Sequence, residues 1–591
     1  MDGRDDRRGA RALSVAVRPL DARRPYKPLD IGNGIVAGSL TPGGRWLELG
    51  IAHPRHGRVV LTDAPRFTAS TADQRAVRVY RASVASRERE GFGLAVPPLA
   101  NVALVEDSFP LATHEIGGTQ IEIVTFAPPG ARGAVQIARV SGDANVLSST
   151  GTPRLSRAAY TQLTPGGALP PAPEQRRTGA EDGVIWIADD ALEAAAAIAL
   201  ANPAEATVAF AIALALSRDE ALATATALVQ DAETLWERTR ERRHDYWQGV
   251  DLGPDDEVAR RGVAYAVDCA ASRLSSVAVL ADHVILPLVW TRDAYYICRM
   301  LLAVDRAAAS DVVLRFLRWC FEVAERPDGW WPRASLASGQ AKDPVFQLDQ
   351  QLYPLLLLED YARLMRDRSR VTLYAAERDA VVRALLAKRS SNGLIATAET
   401  PADDPIEAPY HFSSHVLLWR VLRDLDRGAA DDLRSATLRH FASGDLFAYA
   451  VRDAGGDGAV RYHDANDLPT IFAPGWGFCD ANDPRWRATV AFAWSTANRA
   501  FVDGPLGGLG SVHTLHPWPL GDLQDLLVGR ITHDPWRVAR AEERLRRVST
   551  WDAMLPEAYD ERSGDVASRH WFAWPTALRA LLQRDPALVA P

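Results

Sequence analysis

The second half of this chain shows almost no strand signal. From Asp255 on, amphipathic stretches follow one another with loops between, their apolar residues three and four positions apart. The pattern predicts helices near 255–279, 292–305, 309–325, 348–366, 372–389 and 411–427. Six more follow near 430–443, 466–475, 484–503, 518–531, 535–550 and 571–583. Twelve helices can form a bundle, a solenoid or a ring of six helical hairpins. No repeat of constant length appears, which weighs against a solenoid. A closed double ring gathers its loops at one end, so residues distant in sequence meet there.

The loops fit such a ring. VWTRDAYY (Val289–Tyr296), DGWWPRASL (Asp328–Leu336), VFQLDQQLY (Val345–Tyr353) and ADDPIEAPYHFSSH (Ala402–His415) place charge or amide beside Trp, Tyr or Pro. YHDANDLP (Tyr462–Pro469), GGLGSVHTLHPWPLGD (Gly507–Asp522) and the loop holding Glu557 do the same. Any one of them alone reads better as a helix cap. Seven together are better explained by a common cleft. Glu557 in MLPEAYDERSG precedes an aromatic run with Trp571 and Trp574, so a carboxylate and flat apolar surface are offered together. Alone, that stretch could equally be a surface loop between helices.

The first half reads as β. IVAGSL, Gly43-Gly44 and RWLELG form a hairpin pattern, and RVVLT, AVRVYRA, TQIEIVTFA, AVQIARVSG, GVIWIAD and TVAFAIALAL are further short runs between turn residues. Many short strands suggest a β-sandwich. AAAAIALA fits strand or helix, and 151–182 carries no clear pattern and reads as a long loop. RDEALATATALVQDAETLWERTRERRHDYW (Arg218–Trp247) reads as one amphipathic linker helix. The predicted organisation is a disordered or extended N-terminus over 1–24, a β-sandwich over 25–217, a linker helix over 218–254 and a helical domain over 255–591.

A chain of 591 residues exceeds one ordinary core, which agrees with two domains. The net charge of −8 is mild and argues against nucleic acid or an anionic membrane as main partner. Cys269, Cys298, Cys320 and Cys479 lack metal or redox spacing and read as reduced core residues. The charged N-terminus has no apolar signal region, and no run approaches a membrane span, so a cytoplasmic protein is expected. His411 and His415 have a metal-compatible spacing with no further ligand evident. No metal and no cofactor are expected. GGLG lacks the context of a phosphate loop and reads as a tight turn.

Taken in order along nearly the whole chain, these segments resemble glycoside hydrolase family 15, the glucoamylase-like family of bacterial type. IGNGIVAGSLTPGGRW is similar to the opening of that family's β-sandwich, WTRDAYY to its W-x-R-D-A segment and FQLDQQLY to its Q-L-D segment. DDPIEAPYHFSSHVLLWRVLRDLDR resembles the stretch around the catalytic acid, DANDLPTIFAPGWGFCDANDPRWRATV a later helix pair, and LPEAYDERSG the stretch carrying the base. The last helices with RHWFAWP are also similar to family 125, α-mannosidases of the same clan.

The resemblance implies a β-sandwich followed by an (α/α)6 barrel, and inverting, metal-independent hydrolysis of terminal α-glycosides, glucosidic in the first instance. It places the general acid at Glu407 and the base at Glu557, with Arg292 and Asp293 holding hydroxyls of the terminal sugar. Trp290, Trp331, Asp349, His513, Arg569, Trp571 and Trp574 complete the expected sugar-binding set. The chain departs from the family 15 pattern by lacking a Trp before Glu407 and by having His415 where Lys is usual. In a family 125 alignment the D-D motif falls on Asp403-Asp404, and Asp404 becomes the acid. The sugar, glucose or mannose, therefore stays open. So do a decayed carbohydrate-binding protein and a phosphorylase, although Glu557 favours hydrolysis. The oligomeric state is not legible.

Overall fold

The computed structural model describes residues 16–21, 27–64, 91–141, 148–158, 173–252, 256–452, 458–568 and 572–584. The expected strand AVRVYRA lies outside them, as do Arg569 and Trp571. Two antiparallel sheets form the N-terminal part, one of nine strands and one of five. The IVAGSL–RWLELG hairpin is present, Val36–Leu40 pairing with Trp46–His53. Leu29, Val36, Trp46, Leu49 and Leu61 of the smaller sheet interleave with Ile121, Ile123, Phe210 and Ile212 of the larger, which makes a sandwich core. The larger sheet starts earlier than expected, because Val17–Leu20 pairs with Leu99–Val105.

Several local expectations give way to tertiary context. AAAAIALA is strand: Ala194–Ala204 pairs with Thr207–Ala215, and sheet neighbours override the helical propensity of alanine. The patternless segment 151–182 contributes Arg154–Arg157 and the exposed strand Arg176–Glu181. The latter shows no apolar alternation because both its faces meet solvent. The linker is two helices, α1 (Arg218–Gln230) and α2 (Ala232–Gly249), broken at Asp231. Ala221, Ala225, Leu228 and Val229 of α1 pack on the outer face of the nine-stranded sheet, so the segment covers the sandwich as well as leading out of it.

Beyond it lie twelve principal helices among the described residues. They are α3 (Glu257–Tyr265), α4 (Thr291–Val304), α5 (the helical run 306–323), α6 (Tyr353–Met365), α7 (Ala375–Leu386) and α8 (Phe412–Leu425). The others are α9 (Arg427–His440), α10 (Leu468–Phe472), α11 (Pro484–Ala493), α12 (Pro519–Ile531), α13 (Pro535–Arg547) and α14 (Ala573–Arg584). Helices α4, α6, α8, α10, α12 and α14 are apolar nearly all round and buried, whereas α7, α9, α11 and α13 show solvent one face. The buried set closes on itself. α4 packs on α6, the turn Asp349–Gln351 that leads into α6 packs on α8, α8 packs on α10, α10 on α12, α12 on α14, and α14 returns to α4. Residues near the start of each inner helix therefore converge on one mouth.

The smaller sheet caps the barrel wall around α3. Lys27 Nζ donates to Asp30 (2.5 Å) and to Asp552 (2.6 Å), and Arg261 Nη2 donates to Asp30 (2.8 Å), all fully buried between the two domains. His283 joins the same interface, its ring nitrogens meeting Ser39 Oγ and Tyr265 Oη. Two cations face two carboxylates there, the balance that a buried charge cluster needs.

Candidate active site

At the barrel mouth lies a cleft of about 160 Å³, room for a single sugar-sized unit and smaller than the ~300 Å³ lower end for drug-sized ligands. Trp290, Arg292, Asp293, Asp403, Asp404, Asn466, His513, Trp518, Glu557 and Trp574 are among its lining residues. They come from loops that the sequence separates by up to 284 positions (574 − 290), and the closure of the inner ring joins them.

Arg292 and Asp293 sit in the first turn of α4, where unpaired backbone N–H groups favour a carboxylate. That turn is fixed from behind by the QLDQQ segment. Gln350 Oε1 accepts from Arg292 N (3.1 Å) and Thr291 Oγ1 (2.6 Å), and Asp349 Oδ2 lies 3.3 Å from Arg292 Nη1. Arg292 Nη2 also reaches Asp293 (3.4 Å) and Asp403 (3.7 Å), and its guanidinium lies 5.2 Å from the Trp574 ring centre. One guanidinium thus serves three carboxylates. Burial pushes Asp293 up to about 7; Arg292 opposes that shift, while Asp403 and Asp349 add to it. Burial alone would pull Arg292 down, but Asp293, Asp403 and Asp349 outweigh it and hold its cation firmly. Among the described residues, Trp290 Nε1, Arg292 Nε and Trp574 Nε1 are buried with no hydrogen-bond partner, and Asp293 Oδ2 has the Arg292 ion pair but no hydrogen bond. Such atoms are costly unless a ligand meets them.

Asp403 and Asp404 belong to a tight turn in which Thr400 N donates to Asp404 O (2.9 Å) and Asp403 N to Thr400 O (3.0 Å). Asp403 has φ of +64°, a left-handed conformation that is strained for a non-glycine residue and is held here by Gln347 Nε2 on Asp403 Oδ1 (2.9 Å). The turn brings Asp404 into the cleft, where its Oδ2 lies 3.0 Å from His513 Nδ1. Burial would lower the His513 pKa, but the hydrogen bond it donates to Asp404 and the charges of Asp464, Asp404 and Glu557 raise it. Glu557 is buried on the far loop, and its Oε2 accepts from Ser568 Oγ (3.1 Å).

The structure separates the candidate residues. Trp290, Arg292, Asp293, Asp404, His513, Glu557 and Trp574 meet in the cleft. Glu407 does not. Its side chain is 57% exposed and pairs with Arg499 (2.8 Å), because the chain leaves the Asp403 turn in the opposite direction. Trp331 and Asp349 stand behind the wall. The Trp331 indole donates to Cys320 O (3.0 Å) and its backbone N–H to Gln351 (2.7 Å), while Asp349 reaches the cleft only through Arg292. Arg569 and Trp571 lie outside the described residues. Asn466 and Trp518 were not singled out as site residues, although their loops were. Asn466 is oriented by Asp464, whose Oδ1 accepts both its backbone N–H and its side-chain amide (2.8 and 2.7 Å).

The histidine pair on α8 is accounted for within the protein. His411 faces Asp467 (3.2 Å), and His415 accepts from Ile395 N (3.1 Å) while its Nδ1 meets His411 O (2.6 Å). The four cysteines are buried and unbridged. Among the described residues no helix is long and apolar enough to cross a membrane.

The profile of the metal-independent α-mannosidase family (GH125) matches residues 429–582, about a quarter of the chain. No curated protein matches by sequence. A bacterial glucoamylase solved with acarbose shares the fold at a TM-score of 0.60 and 12% identity, over 98% of this chain and 99% of that one. A chain described as a kojibiose phosphorylase from the human microbiome does so at a TM-score of 0.54 and 10% identity, over 96% of this chain and 88% of that one. These likenesses extend over both parts of the molecule, so the fold is a β-sandwich followed by an (α/α)6 barrel of the glucoamylase kind.

Proposed function

We propose that the cleft hydrolyses terminal α-linked hexosides with inversion, Asp404 acting as general acid and Glu557 as general base. One observation supports it above the rest: among the described residues, Asp404 is the single one shared between the cleft and a second cavity beside it. A scissile oxygen between a bound terminal sugar and the rest of its substrate would lie at that boundary. The terminal sugar occupies the cleft, its hydroxyls meeting Arg292 and Asp293 and its ring faces Trp290 and Trp574. Asp404 gives its proton to the glycosidic oxygen as the bond from the anomeric carbon breaks. Water attacks that carbon and loses its proton to Glu557. His513, hydrogen-bonded to Asp404, can carry the replacement proton.

A buried carboxylate in this place supports water as nucleophile, where a phosphorylase would need an anion pocket. Glucosidic substrates are the first choice, since the glucoamylase likeness spans the whole chain. Mannosidic substrates are the second, favoured by the family match over 429–582. The unbridged cysteines support a reducing, cytoplasmic setting. The reading is tested by release of glucose and of mannose from α-linked disaccharides and nitrophenyl glycosides, with Asp404→Asn beside the unaltered enzyme. Release of neither sugar would end it.

A further inference from the structure

The second cavity, about 270 Å³, is lined by Pro405, Ile406, Glu407, Tyr462, Arg499 and Val512 and, among the described residues, shares Asp404 with the cleft. We infer that it is the leaving-group pocket, and that the Glu407–Arg499 pair there reads a vicinal diol on a neutral sugar. This rests on the hydrolytic reading above.

Three observations carry the inference. Glu407 and Arg499 are 57% and 54% exposed, and a surface pair of this kind adds little to stability. Yet it is not left loose. The Arg499 guanidinium lies 4.9 Å from the Tyr462 ring centre, and that ring is fixed by its hydroxyl, which donates to Asp464 (2.5 Å) and accepts from Val512 N (3.2 Å). An oriented carboxylate beside an oriented guanidinium offers acceptors and donors about 2.8 Å apart, the arrangement that adjacent hydroxyls on a ring can bridge. Secondly, Ile406, Val460 and Val512 give the pocket an apolar side, suited to the C–H face of a sugar. Thirdly, with Asp404 carrying the proton it is to give up, the pocket's charges are Glu407 against Arg499, so no cation is left over to hold an anionic leaving group.

The test uses the full chain and two variants, Glu407→Gln and Arg499→Met, checked for folding by thermal melting. Steady-state constants are measured on an α-linked disaccharide, on the α-fluoride of the same hexose, and on a disaccharide whose leaving sugar carries a carboxylate. The ratio of kcat/KM for disaccharide over fluoride is expected to fall roughly 10- to 100-fold in both variants, mainly through KM. The unaltered enzyme should prefer the neutral leaving sugar, and Glu407→Gln should narrow that preference. An unchanged ratio alongside intact wild-type hydrolysis overturns the pocket assignment and leaves the cleft's chemistry standing. A fall in kcat confined to Glu407→Gln would make Glu407 the proton donor and overturns it too. No hydrolysis of any of these substrates by the unaltered enzyme overturns both readings. Should Arg499→Met fail to fold, the isosteric Glu407→Gln decides alone.

Discussion

Two buried charge clusters lie in this molecule, and they are built to opposite rules. Between sandwich and barrel, Lys27 and Arg261 face Asp30 and Asp552, two charges of each sign. At the barrel mouth, the Arg292 guanidinium faces Asp293, Asp349 and Asp403, with Asp404, Glu557 and the His513 imidazole in the same cleft. Balance lets the first cluster lock two domains together: burial works against ionised Asp552, but Lys27 and Arg261 hold it below the usual carboxylate range, while burial outweighs the same two cations at Asp30 and raises it. In the second, burial raises Asp293 to about 7, and the surplus carboxylates Asp403 and Asp349 add to that rise. A folded chain tolerates that excess where a ligand is to meet it, so imbalance marks the site and balance marks the joint.

Substitutions can sharpen the contrast. Glu557→Gln should lower turnover by about 10³-fold or more with substrate binding and melting temperature preserved, as single-turnover kinetics and calorimetry would show. Asp404→Asn should do the same for disaccharides and much less for activated aryl glycosides, whose leaving groups need no proton. Asp552→Asn should act the other way round. Removing one partner of the buried interface costs about 3–5 kcal/mol of stability, read by chemical denaturation, while activity per folded molecule stays within about twofold. Equal losses of activity at the two clusters would erase the distinction. Asp293→Asn should lower kcat/KM by about 10²-fold, with the protein at least as stable at pH 8.

The smallest effect expected is one of pH. The Asp293 carboxyl is raised from the ordinary 3.8 to about 7. The unfolded chain therefore releases this proton at lower pH than the folded one. Its contribution to stability is fully present below about pH 4, declines as pH rises towards about 7, and is lost above that. Melting temperatures of wild type and Asp293→Asn should converge near pH 4 and diverge towards pH 8, with the variant higher. A constant difference across that range would remove Asp293 from the titration.

Periodicity made the ring of helices readable, because an inner helix must be apolar nearly all round and its outer partner only on one face. Loop composition pointed to the mouth as well: Trp290, Arg292, Asp293 and His513 lie at or shortly before helix starts rich in aromatic residues, and Glu557 lies on the loop ahead of the last helix. What periodicity cannot show is the direction a loop takes. Asp404 and Glu407 are three residues apart, and only the left-handed turn at Asp403 sends one inward and the other to the rim. Trp331 and Asp349 sit in segments that do build the site, yet as supports, since Gln351 and Arg292 stand between them and the cleft. Propensity also failed where small residues decide packing. Alanine in Ala194–Ala204 lets α1 approach the sheet closely, a demand set by tertiary contact.

The central claim is that Asp404 and Glu557 work as an inverting pair on an α-linked substrate. Proton NMR of the first turnovers on an α-linked disaccharide, followed before mutarotation, tests it most directly. The account predicts the β-anomer of the terminal sugar as first product, in the unaltered enzyme and at reduced rate in Asp404→Asn. The α-anomer as first product would contradict it and with it the role of Glu557 as base.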